Sequence, residues 1–501
     1  MGIWDIFRGS RTETPIADSA ASVARHPNHK QHVRFAAAKQ KQHSLGRFSG
    51  GSMSADAELQ RDLVRLREAS RVSGGDVGYV RRYFNMVQTH VVGENGLRLQ
   101  SLVRDRDGKI DRDASRMIEQ EFAEWGDRDT CEVGGKLSWV AAQELTAKTT
   151  AQDGDMLIRY HVDKSNPYGF CTELIESDYL DVSLNQQLRN GNRIVMGVEL
   201  NQRRQPVAYH LLTNHPGDNT WSCGGRRYDR VLADEIGLTF PMWRPGQTRG
   251  VPWAHASLLE LYQINGMREA QLAGAKIGAA NMFFYERDPE QEVSDDFDEE
   301  GEFVQELEAG QSSVVPEGYK VNSTNYTQPA ATGFQKDALR GSASGLDVNY
   351  NVLGNDYEGV SFSSLRQAVL EDREAWKRKQ RWLIEDFGSP VFKRWLKMAL
   401  LKNKLRGLSP ADLAPLSKHK FMGRRWPWVD PLKDEQAAGE AMKNMTTSPL
   451  HILRDKGLDI DDVKNGWEEY FDAMGDVIER KQQLMPDKPV EKAKPDKAEQ
   501  E

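Results

Sequence analysis

The chain has 501 residues, of which 38% are hydrophobic and 28% are charged, and its formal net charge at pH 7 is −8. A chain of this length predicts two to four structural units, and no apolar run is long enough to form a membrane-spanning helix. Cys131, Cys171 and Cys223 are far apart, so we interpret them as small buried residues of a protein in a reducing cytoplasm, not as a disulfide framework or a zinc site.

Two segments concentrate charge of opposite sign. Residues 25–47 contain Lys, Arg and His but no acid, whereas residues 288–308 contain Asp and Glu but no base. Blocks of like charge are usually solvated. The alternative is that the first block is an arm for an acidic partner and the second a face for a basic partner, and the sequence leaves both interpretations open.

The first half of the chain combines helical patterns with strand patterns. Predicted helices cover residues 53–73, 79–92, 114–125 and 139–151, and the first is expected to end near Ser73-Gly74-Gly75. Runs rich in β-branched and aromatic residues predict strands. These strands lie at residues 156–162, 171–176, 194–200 and 206–212. Because the order is not a regular strand–helix alternation, it predicts an α+β domain.

A long helical pattern rich in Ala and Gly covers residues 254–285. Small residues allow close helix neighbours, so this segment is either a helix buried within one subunit or a helix packed against copies of itself. The acidic segment follows, then a short strand-like patch at 312–320 and a helix at 332–344.

A polar loop at residues 349–360 leads into a long, charged helix. Ser361, Ser363 and Ser364 are candidate caps for this helix, which continues past Arg381 toward Phe387 without Gly or Pro. We interpret the pair as a mobile loop on a rigid support, suited to touching something that moves. Further helices are predicted at 433–445, 449–456 and 461–484, and the charged end of the chain is expected to be disordered.

Four motifs suggest catalysis or metal binding, and each lacks an essential part. Val133-Gly134-Gly135-Lys136 is followed by Leu where a phosphate loop needs Ser or Thr. The run from Asp105 resembles a calcium loop without its terminal acid, so a charged hairpin turn is expected instead. Asp153-Gly154-Asp155 is either a carboxylate pair or a turn before a strand, and Glu479-Arg480-Lys481 lies in a helical pattern. We therefore expect no enzyme activity, no cofactor and no metal.

Short motifs follow one another in a fixed order between residues 34 and 450. They are F-A-A-A at 35–38, D-L-V-R-L-R-E-A-S-R at 62–71, T-H-V-V-G-E-N-G-L-R-L-Q at 89–100, L-S-W at 137–139, D-G-D at 153–155, Y-G-F at 168–170, L-I-E-S-D at 174–178, R-P-G-Q-T-R-G-V-P-W at 244–253, D-Y at 356–357, F-S-S-L-R at 362–366 and W-V-D-P at 428–431. Each motif alone carries little weight, whereas the ordered set resembles the lambda family of tailed-phage portal proteins. Phe362 departs from the tyrosine expected in the family's Tyr-Ser-Ser element.

The resemblance implies an α+β, portal-type fold with an α/β wing, a long α-helical stem, a small α/β clip, a tunnel loop and an α-helical crown. The implied parts are a flexible basic leader (1–52), the wing (53–252), stem helix 1 (253–284), the clip (285–330), stem helix 2 (331–345), the tunnel loop (346–360), the tunnel helix with the rest of the wing (361–430), the crown (431–485) and a disordered tail (486–501).

The resemblance also implies a function. Such proteins form a ring, usually of twelve subunits, at one capsid vertex of the virion, and double-stranded DNA passes through the ring during packaging and ejection. The implied partners are the terminase large subunit, major capsid or scaffolding proteins and head–tail connector proteins, with assembly in the host bacterial cytoplasm and no membrane. The alternatives are an inner capsid or scaffolding protein, or a packaging-associated nuclease or NTPase.

Two groups of residues are the candidate contact sites under this interpretation. Neutral side chains of the tunnel loop could touch phosphates or sugars without reading the base sequence, whereas basic side chains would add affinity at each phosphate and hinder sliding. The tunnel-loop candidates are Asn349, Tyr350, Asn351, Asn355 and Tyr357. The clip candidates for partner docking are Asp295, Asp296, Asp298, Glu299 and Glu300.

Overall fold

The computed structural model describes residues 53–105, 108–218, 226–279, 283–287, 319–323, 332–426 and 431–456, together with most positions between 463 and 474 and residue 460. The parts of the chain considered below belong to the unit that begins at Ser54. Within these residues no helix is both long enough and apolar enough to cross a membrane.

The first half of the described chain contains five helices and nine strands. The helices are α1 (Ala55–Asp76), α2 (Gly78–Val87), α3 (Arg112–Trp125), α4 (Arg128–Cys131) and α5 (Trp139–Asp153). The strands are β1 (Arg98–Ser101), β2 (Met156–Val162), β3 (Phe170–Ile175), β4 (Gln186–Gln187), β5 (Arg193–Val195), β6 (Val198–Leu200), β7 (Pro206–Leu212), β8 (Tyr228–Leu232) and β9 (Ile236–Thr239).

The second half of the described chain is dominated by helices. They are α6 (Leu258–Ala279), α7 (Thr332–Gly345), α8 (Tyr350–Gly354), α9 (Phe362–Leu383), α10 (Ser389–Leu401), α11 (Leu413–Leu416), α12 (Pro431–Lys443) and α13 (Pro449–Asp455). The strands are β10 (Phe283–Arg287), β11 (Tyr319–Ser323) and β12 (His419–Met422).

The described strands form four sheets in which every ladder is antiparallel. Their strand orders are β3-β2-β9, β4-β5-β6-β7-β8, β1-β12 and β10-β11. Antiparallel sheets combined with many helices are the α+β arrangement that the sequence predicts. The sheet β1-β12 joins residue Arg98 to Met422, so the chain after α10 returns to complete the first part of the fold.

The strand predicted at 194–200 is a tight hairpin instead. Met196 and Gly197 have positive φ angles of 47° and 84°, and Val195 pairs with Val198 across the turn. Two consecutive positive φ angles are typical of the two-residue turns that match the twist of a hairpin. The prediction was wrong because the apolar run continues through the turn residue Met196, whose side chain is fully buried.

Helix α1 continues through Gly74 and Gly75 to Asp76, whereas the sequence predicts an end at the glycines. A Cβ atom on Gly74 would lie 2.9 Å from Cε2 of Phe84 in α2. This glycine therefore allows α1 and α2 to approach each other closely, and it does not end the helix.

Helices α9 and α10 form one continuous helical run, because a π-helical turn at Ile384–Gly388 joins them. Pro390 lies in the first turn of α10, where the preceding wider turn leaves room for a residue without a backbone N–H. The predicted continuation toward Phe387 is confirmed, and the helical run extends further, to Leu401.

An aromatic core holds α3, α5 and the α9–α10 run together. The ring centroids of Phe122 and Trp395 are 4.9 Å apart, and those of Trp139 and Phe387 are also 4.9 Å apart. Trp125 is fully buried, and its Nε1 donates a hydrogen bond of 2.9 Å to the carbonyl oxygen of Phe170. Aromatic pairs at these separations add to the stabilisation that burial provides, so this core fixes the position of the long helical run.

The long helical pattern after residue 254 is shorter than predicted. Helix α6 ends at Ala279, and Phe283–Arg287 forms strand β10, which pairs with β11 from Phe283↔Ser323 to Arg287↔Tyr319. The run Phe283-Phe284-Tyr285 has the aromatic composition that favours strands, and this local preference overrides the continuing helical pattern.

Candidate functional site

The tunnel-loop candidates lie on a closed helical turn, not on an irregular loop. Asn349 caps α8, because its Oδ1 accepts hydrogen bonds from the backbone N–H groups of Asn351 (2.7 Å) and Val352 (3.4 Å). Asn355 adopts a left-handed φ of 51° and ends α8, with its N–H bonded to the carbonyl of Asn351. Asparagine is favoured at both kinds of helix end. The residues that suggested a loop are therefore the caps of a short helix.

Tyr350 and Asn351 are held within this turn by Asp356. The hydroxyl of Tyr350 donates to Oδ2 of Asp356 at 2.5 Å, and Nδ2 of Asn351 donates to the Asp356 carbonyl oxygen at 2.6 Å. Burial and this hydrogen bond raise the pKa of Tyr350 to about 12. Lys336 of α7 lies 3.1 Å from the same carboxylate. These polar side chains form hydrogen bonds within the turn itself, and their assignment as DNA contacts stays a prediction.

The exposed part of the turn lies after α8. Asn355 is exposed, Tyr357 is 50% exposed and Phe362 is 65% exposed, while Glu358 has a side chain 88% exposed. Glu358 and Phe362 were not among the sequence-based candidates. Residues 346–365 contain three acids and no Lys or Arg, so the surface offered to an outside partner is neutral to acidic.

Apolar side chains anchor the turn to the rest of the subunit. The buried ones are Leu346, Val348 and Leu353. The backbone is also tied to α2 and α9, because Arg82 Nε donates to the carbonyl of Val352 at 3.1 Å and the N–H of Asn349 donates to Asp372 Oδ2 at 3.2 Å. The sequence interpretation of a loop with little to bury missed these contacts, which hold the turn close to α9.

A charged clamp fixes the start of the turn to α9. Asp347, which has a positive φ of 58°, lies 2.7 Å from Arg378 and 3.8 Å from Lys379. Burial lowers the pKa of Lys379 to about 8, and its Nζ lies 4.4 Å from the ring centroid of Trp376. Burial also raises the pKa of Asp372 to about 6. Two groups beside the turn thus titrate near neutral pH.

A second cluster, fully buried, centres on Asp155. Arg249 Nε lies 2.7 Å from Oδ2 of Asp155, Arg67 Nη2 lies 2.6 Å from Oδ1, and the N–H of Gly250 donates to Oδ2 at 2.9 Å. Burial acts to raise the pKa of Asp155, but the charges of Arg249 and Arg67 outweigh it and hold that pKa at about 2. Asp155 is therefore ionised in the fold and its charge is compensated.

Arg71 extends this cluster to two more carboxylates. It binds Asp153 in a bidentate manner, at 2.9 Å from Nε and 2.8 Å from Nη2, and it also pairs with Asp178. Arg67 contacts Asp178 as well, at 3.4 Å. Three arginines thus pair with three aspartates, and these six residues belong to four of the ordered motifs. Each carboxylate of Asp153-Gly154-Asp155 is used in ion pairs, which favours the structural interpretation of this motif over a catalytic pair.

The glycines beside the cluster permit the close approach of two chain segments. Gly154 has a φ of 96°, and a Cβ on Gly250 would lie 2.0 Å from the carbonyl oxygen of Gly154. The segment leading to α6 can therefore lie directly on the turn before β2. The motif at 244–253 precedes the long helix. Its contact with Gly154 therefore ties that helix to the α+β domain.

Helices α6 and α7 form a pair whose inner side is well buried. Leu258, Leu261 and Ile264 of α6 are buried, as are Leu339 and Ala343 of α7. Polar contacts also join this pair, since Ser342 Oγ donates to Glu260 at 2.8 Å and Gln335 Nε2 donates to Gln271 Oε1 at 2.6 Å.

The outer side of this pair carries large apolar residues in contact with solvent. Leu259 is 71% exposed, Tyr262 61%, and Phe334 of α7 65%. Gly266, Ala270 and Ala273 are exposed beside them. Within the described part of the subunit this side of the pair is uncovered. The structure therefore favours packing against another chain over burial within one subunit, the two alternatives left open by the sequence.

Glu176, Asp178 and His215 lie together, with Nε2 of His215 3.1 Å from Glu176 and 3.9 Å from Asp178. The N–H of Gly217 donates to Nδ1 of His215 at 3.1 Å. Asp178 is already bound by Arg67 and Arg71, so its charge is compensated within the protein.

Several sequence-based candidates lie outside the described residues. These are the clip acids Asp295, Asp296, Asp298, Glu299 and Glu300, residue Cys223, the basic leader and the tail. Cys131 and Cys171 are buried and unpaired with each other, as predicted. The charged turn expected near Asp105 is confirmed by the antiparallel bridge between Arg104 and Ile110.

Comparison with known families gives the identity of the fold. The sequence model described as phage portal protein, lambda family, matches residues 41–380, which is more than half of the chain. The chain belongs to the lambda family of phage portal proteins. The resemblance inferred from the ordered motifs is thereby confirmed.

Portal proteins of known phages are similar to this chain over most of its length. The probable portal protein of Halomonas phage phiHAP-1 is 37% identical over 428 residues, which cover 83% of this chain and 82% of that protein. Portal protein B of Escherichia phage lambda is 22% identical over 383 residues, covering 70% of this chain and 72% of that protein.

Two solved structures contain a chain that is similar to this one. A chain of the virion of a native gene transfer agent particle is 13% identical, with a TM-score of 0.42, and the match covers 80% of this chain and 94% of that chain. An HK97-family phage portal protein from Corynebacterium diphtheriae is 12% identical, with a TM-score of 0.30, covering 73% of this chain and 98% of that chain.

Proposed function

We propose that this portal-family chain assembles into a closed ring of twelve copies at one capsid vertex, and that double-stranded DNA passes through the ring during packaging and ejection. The observation that carries the proposal is the uncovered apolar side of α6 and α7. Large contiguous apolar surfaces on a soluble chain mark interaction sites, and a repeated head-to-tail contact between identical chains closes into a ring.

In this proposal we assign the observed elements to the parts of the ring. Helices α6 and α7 would be the stem, β10 and β11 part of the clip, and α12 and α13 part of the crown. The turn with α8 would be the tunnel loop, held against the long tunnel helix α9 by the pairing of Asp347 with Arg378. The chain between β10 and β11 contains the acidic clip residues, which we propose as a docking face for the terminase large subunit and later for head–tail connector proteins.

The turn that contains α8, residues 346–360, is called the tunnel turn below. Its surface supports passage of DNA without tight binding. Its exposed residues Asn355 and Tyr357 are neutral, and Glu358 is acidic. Each phosphate neutralised by a basic side chain would add salt-dependent affinity, so a turn without Lys or Arg lets the duplex slide. In this proposal Asn355 and Tyr357 touch the passing backbone, while Asn349, Tyr350 and Asn351 maintain the shape of the turn.

We further propose that the chain acts as a structural conduit in the virion, contacts major capsid or scaffolding proteins through its wing, and assembles in the host bacterial cytoplasm. The carboxylates of the Asp153-Gly154-Asp155 motif are occupied by arginines, which supports a role without catalysis. Hydrolysis of DNA or ATP by the purified protein, with Mg²⁺ present, would contradict this part of the proposal.

The experiment is native mass spectrometry of the purified full chain and of two variants. Tyr262→Glu places a charge on the apolar side and is expected to shift the protein from rings to single subunits, because burying an unpaired carboxylate is costly. Gln202→Glu adds the same charge at an exposed turn residue between β6 and β7, away from α6, and is the control that should still assemble. A wild-type protein that remains monomeric at high concentration would overturn the proposal.

A further inference from the structure

A groove lies between helix α9 and the segment that follows β9. It consists of two cavities with volumes of about 750 Å³ and about 590 Å³, and both are lined by Pro241, Met242, Arg378 and Trp382. Because they share these residues, the cavities form one continuous feature, which we call the α9 groove. The larger cavity also touches β5, β6 and β7, and the smaller one extends to Asp347. Cavities of a few hundred Å³ are of the usual size for binding sites.

Aromatic side chains form the floor and the rim of this groove. Trp253 and Trp382 are 4% and 8% exposed, and they pack edge to face with ring centroids 5.4 Å apart. At the rim, Met242 is 64% exposed and Trp243 is 52% exposed. Tryptophan, methionine and arginine are the residue types enriched at the centres of protein interfaces. The groove therefore has the composition of a surface that binds another polypeptide.

Arginines without an internal ion pair surround the larger cavity. Arg193, Arg204 and Arg381 line it, and their guanidinium groups pair with no carboxylate among the residues that the structure describes. Glu385 and Asp386 also line this cavity, so the arginines outnumber the acids. In a chain with a formal net charge of −8, three uncompensated arginines around one cavity form a local positive site that attracts carboxylates.

The smaller cavity contains two buried donors without a hydrogen-bond acceptor. The side chain of Lys379 is 14% exposed, and its Nζ lies 3.8 Å from Asp347, which is too far for a hydrogen bond. Nε1 of Trp253 also has no acceptor among the described residues. The two donors are close together, because Nζ of Lys379 lies 5.8 Å from the ring centroid of Trp253. Buried donors left unpaired cost free energy, and a carboxylate that enters this cavity would accept hydrogen bonds from them.

We propose that the α9 groove binds an acidic peptide segment of a partner protein. One carboxylate of the peptide enters the smaller cavity beside Lys379 and Trp253, and further acids pair with Arg204 and Arg381. Charge complementarity selects this class of ligand, and the buried position of Lys379 favours a flexible side chain over a phosphate on the surface of a rigid DNA duplex. The groove is separate from the exposed side of α6 and α7, so the inference does not depend on the proposed ring.

The test is fluorescence anisotropy of a labelled synthetic peptide, the repeated sequence Asp-Phe-Glu, titrated with the purified full-length protein. The wild type is expected to bind, and Arg204→Glu should raise the Kd at least about tenfold, because it places a carboxylate opposite the acidic peptide. Arg203→Glu makes the same change of charge at an exposed neighbour that does not line the groove, and it should leave the Kd unchanged. Absence of binding, equal losses in the two variants, or equal binding of a repeated Lys-Phe-Lys peptide would overturn the inference.

Crosslinking distinguishes the peptide from two other occupants of the groove. With the photo-crosslinking amino acid p-benzoylphenylalanine at position 242, illumination should join the labelled Asp-Phe-Glu peptide to the chain, whereas the same probe at position 203 should not. Crosslinks from position 242 to a second copy of the chain in excess peptide would make the groove an interface between copies. Displacement of the peptide by a short DNA duplex would make it a nucleic-acid site, and either result would overturn the inference.

Discussion

At the scale of single residues, Asp155 is a buried carboxylate whose charge must be compensated by its neighbours. It is fully buried and accepts contacts from Arg67, Arg249 and the N–H of Gly250. These partners come from α1 and from the segment that leads to α6, so one carboxylate joins the α+β domain to the segment that precedes α6. Buried ion pairs contribute little net stability when intact, but removing one partner leaves an uncompensated charge.

Asp155→Asn is therefore expected to reduce the free energy of unfolding by about 3–5 kcal/mol. The measurement is urea-induced unfolding of the full chain at neutral pH. Asp76→Asn, at an exposed position at the end of α1, is the control and should change the free energy of unfolding by less than about 0.5 kcal/mol. Equal effects of the two substitutions would show that the buried cluster has no special role.

The stability of this cluster also depends on pH in a defined direction. The pKa of Asp155 is depressed to about 2 in the fold from its ordinary value of 3.8. The stabilising contribution is therefore present above pH 4 and is lost as the pH falls through 2. Acid unfolding that begins above pH 4 must then come from other groups. Because Asp155→Asn lowers the stability throughout that range, it should move the midpoint of acid unfolding to higher pH.

Asp372 is expected to behave in the opposite way. Burial raises its pKa to about 6 in the fold, so the folded state favours the protonated form and stability is lost as the pH rises from 4 through 6. Asp372→Asn removes this cost and keeps an acceptor for the N–H of Asn349. The melting temperature of the variant should exceed that of the wild type at pH 8 and match it at pH 4. A lower melting temperature at pH 8 would show that the carboxylate is needed for its charge, for instance beside Lys379.

At the scale of elements, substitutions at Gly266 of α6 test whether this side of the helix is in solvent or packs against a neighbouring copy. A Cβ at this position would meet no atom within 4 Å in the subunit. Gly266→Ala and Gly266→Leu should both stabilise α6, each by up to about 1 kcal/mol, because glycine is a poor helix former. Only the leucine variant is expected to block ring assembly, since its side chain would occupy the space of a neighbouring helix. Size-exclusion chromatography with light scattering measures this, and normal assembly of Gly266→Leu would place the subunit contact elsewhere.

The tunnel turn is the second element that can be tested by substitution. Tyr357→Lys adds a basic group at an exposed position while the buried anchor Leu353 remains in place. We expect normal rings but a reduced yield of DNA-filled heads in a phage complementation assay, because the added charge would bind passing phosphates. Tyr357→Gln is the neutral control. Equal yields for both variants would separate the turn from the path of DNA.

The elements also show what the sequence could and could not predict. The cap Ser361, the long helices and strands β2, β3 and β7 were predictable from local patterns, and the family was predictable from the order of motifs. The end of α1 at Asp76 was not, because the role of Gly74 depends on Phe84 in another helix. Likewise, Asn349 and Asn355 are of a residue type that is common both in loops and at helix ends. Only the burial of Leu353 in the structure distinguishes a capped turn from a loop. The partners of Asp155 are 88 and 94 positions away, beyond any local pattern.

At the scale of the whole molecule, the described subunit is incomplete by itself. One side of α6 and α7 exposes large apolar groups, whereas the turn that contains α8 exposes neutral and acidic ones. Apolar surfaces that repeat between identical chains can close a ring, and surfaces poor in positive charge suit a channel for DNA. The distribution of surface chemistry is thus that expected of a subunit whose core is completed by its neighbours.

The most direct measurement of this account is cryo-electron microscopy of the purified full chain. We predict top views with a central hole, and a reconstruction in which the exposed side of α6, with Leu259 and Tyr262, is covered by the neighbouring subunit. The turn after α8 should face the hole. Particles without a hole, or rings in which Leu259 and Tyr262 remain in solvent, would contradict the account.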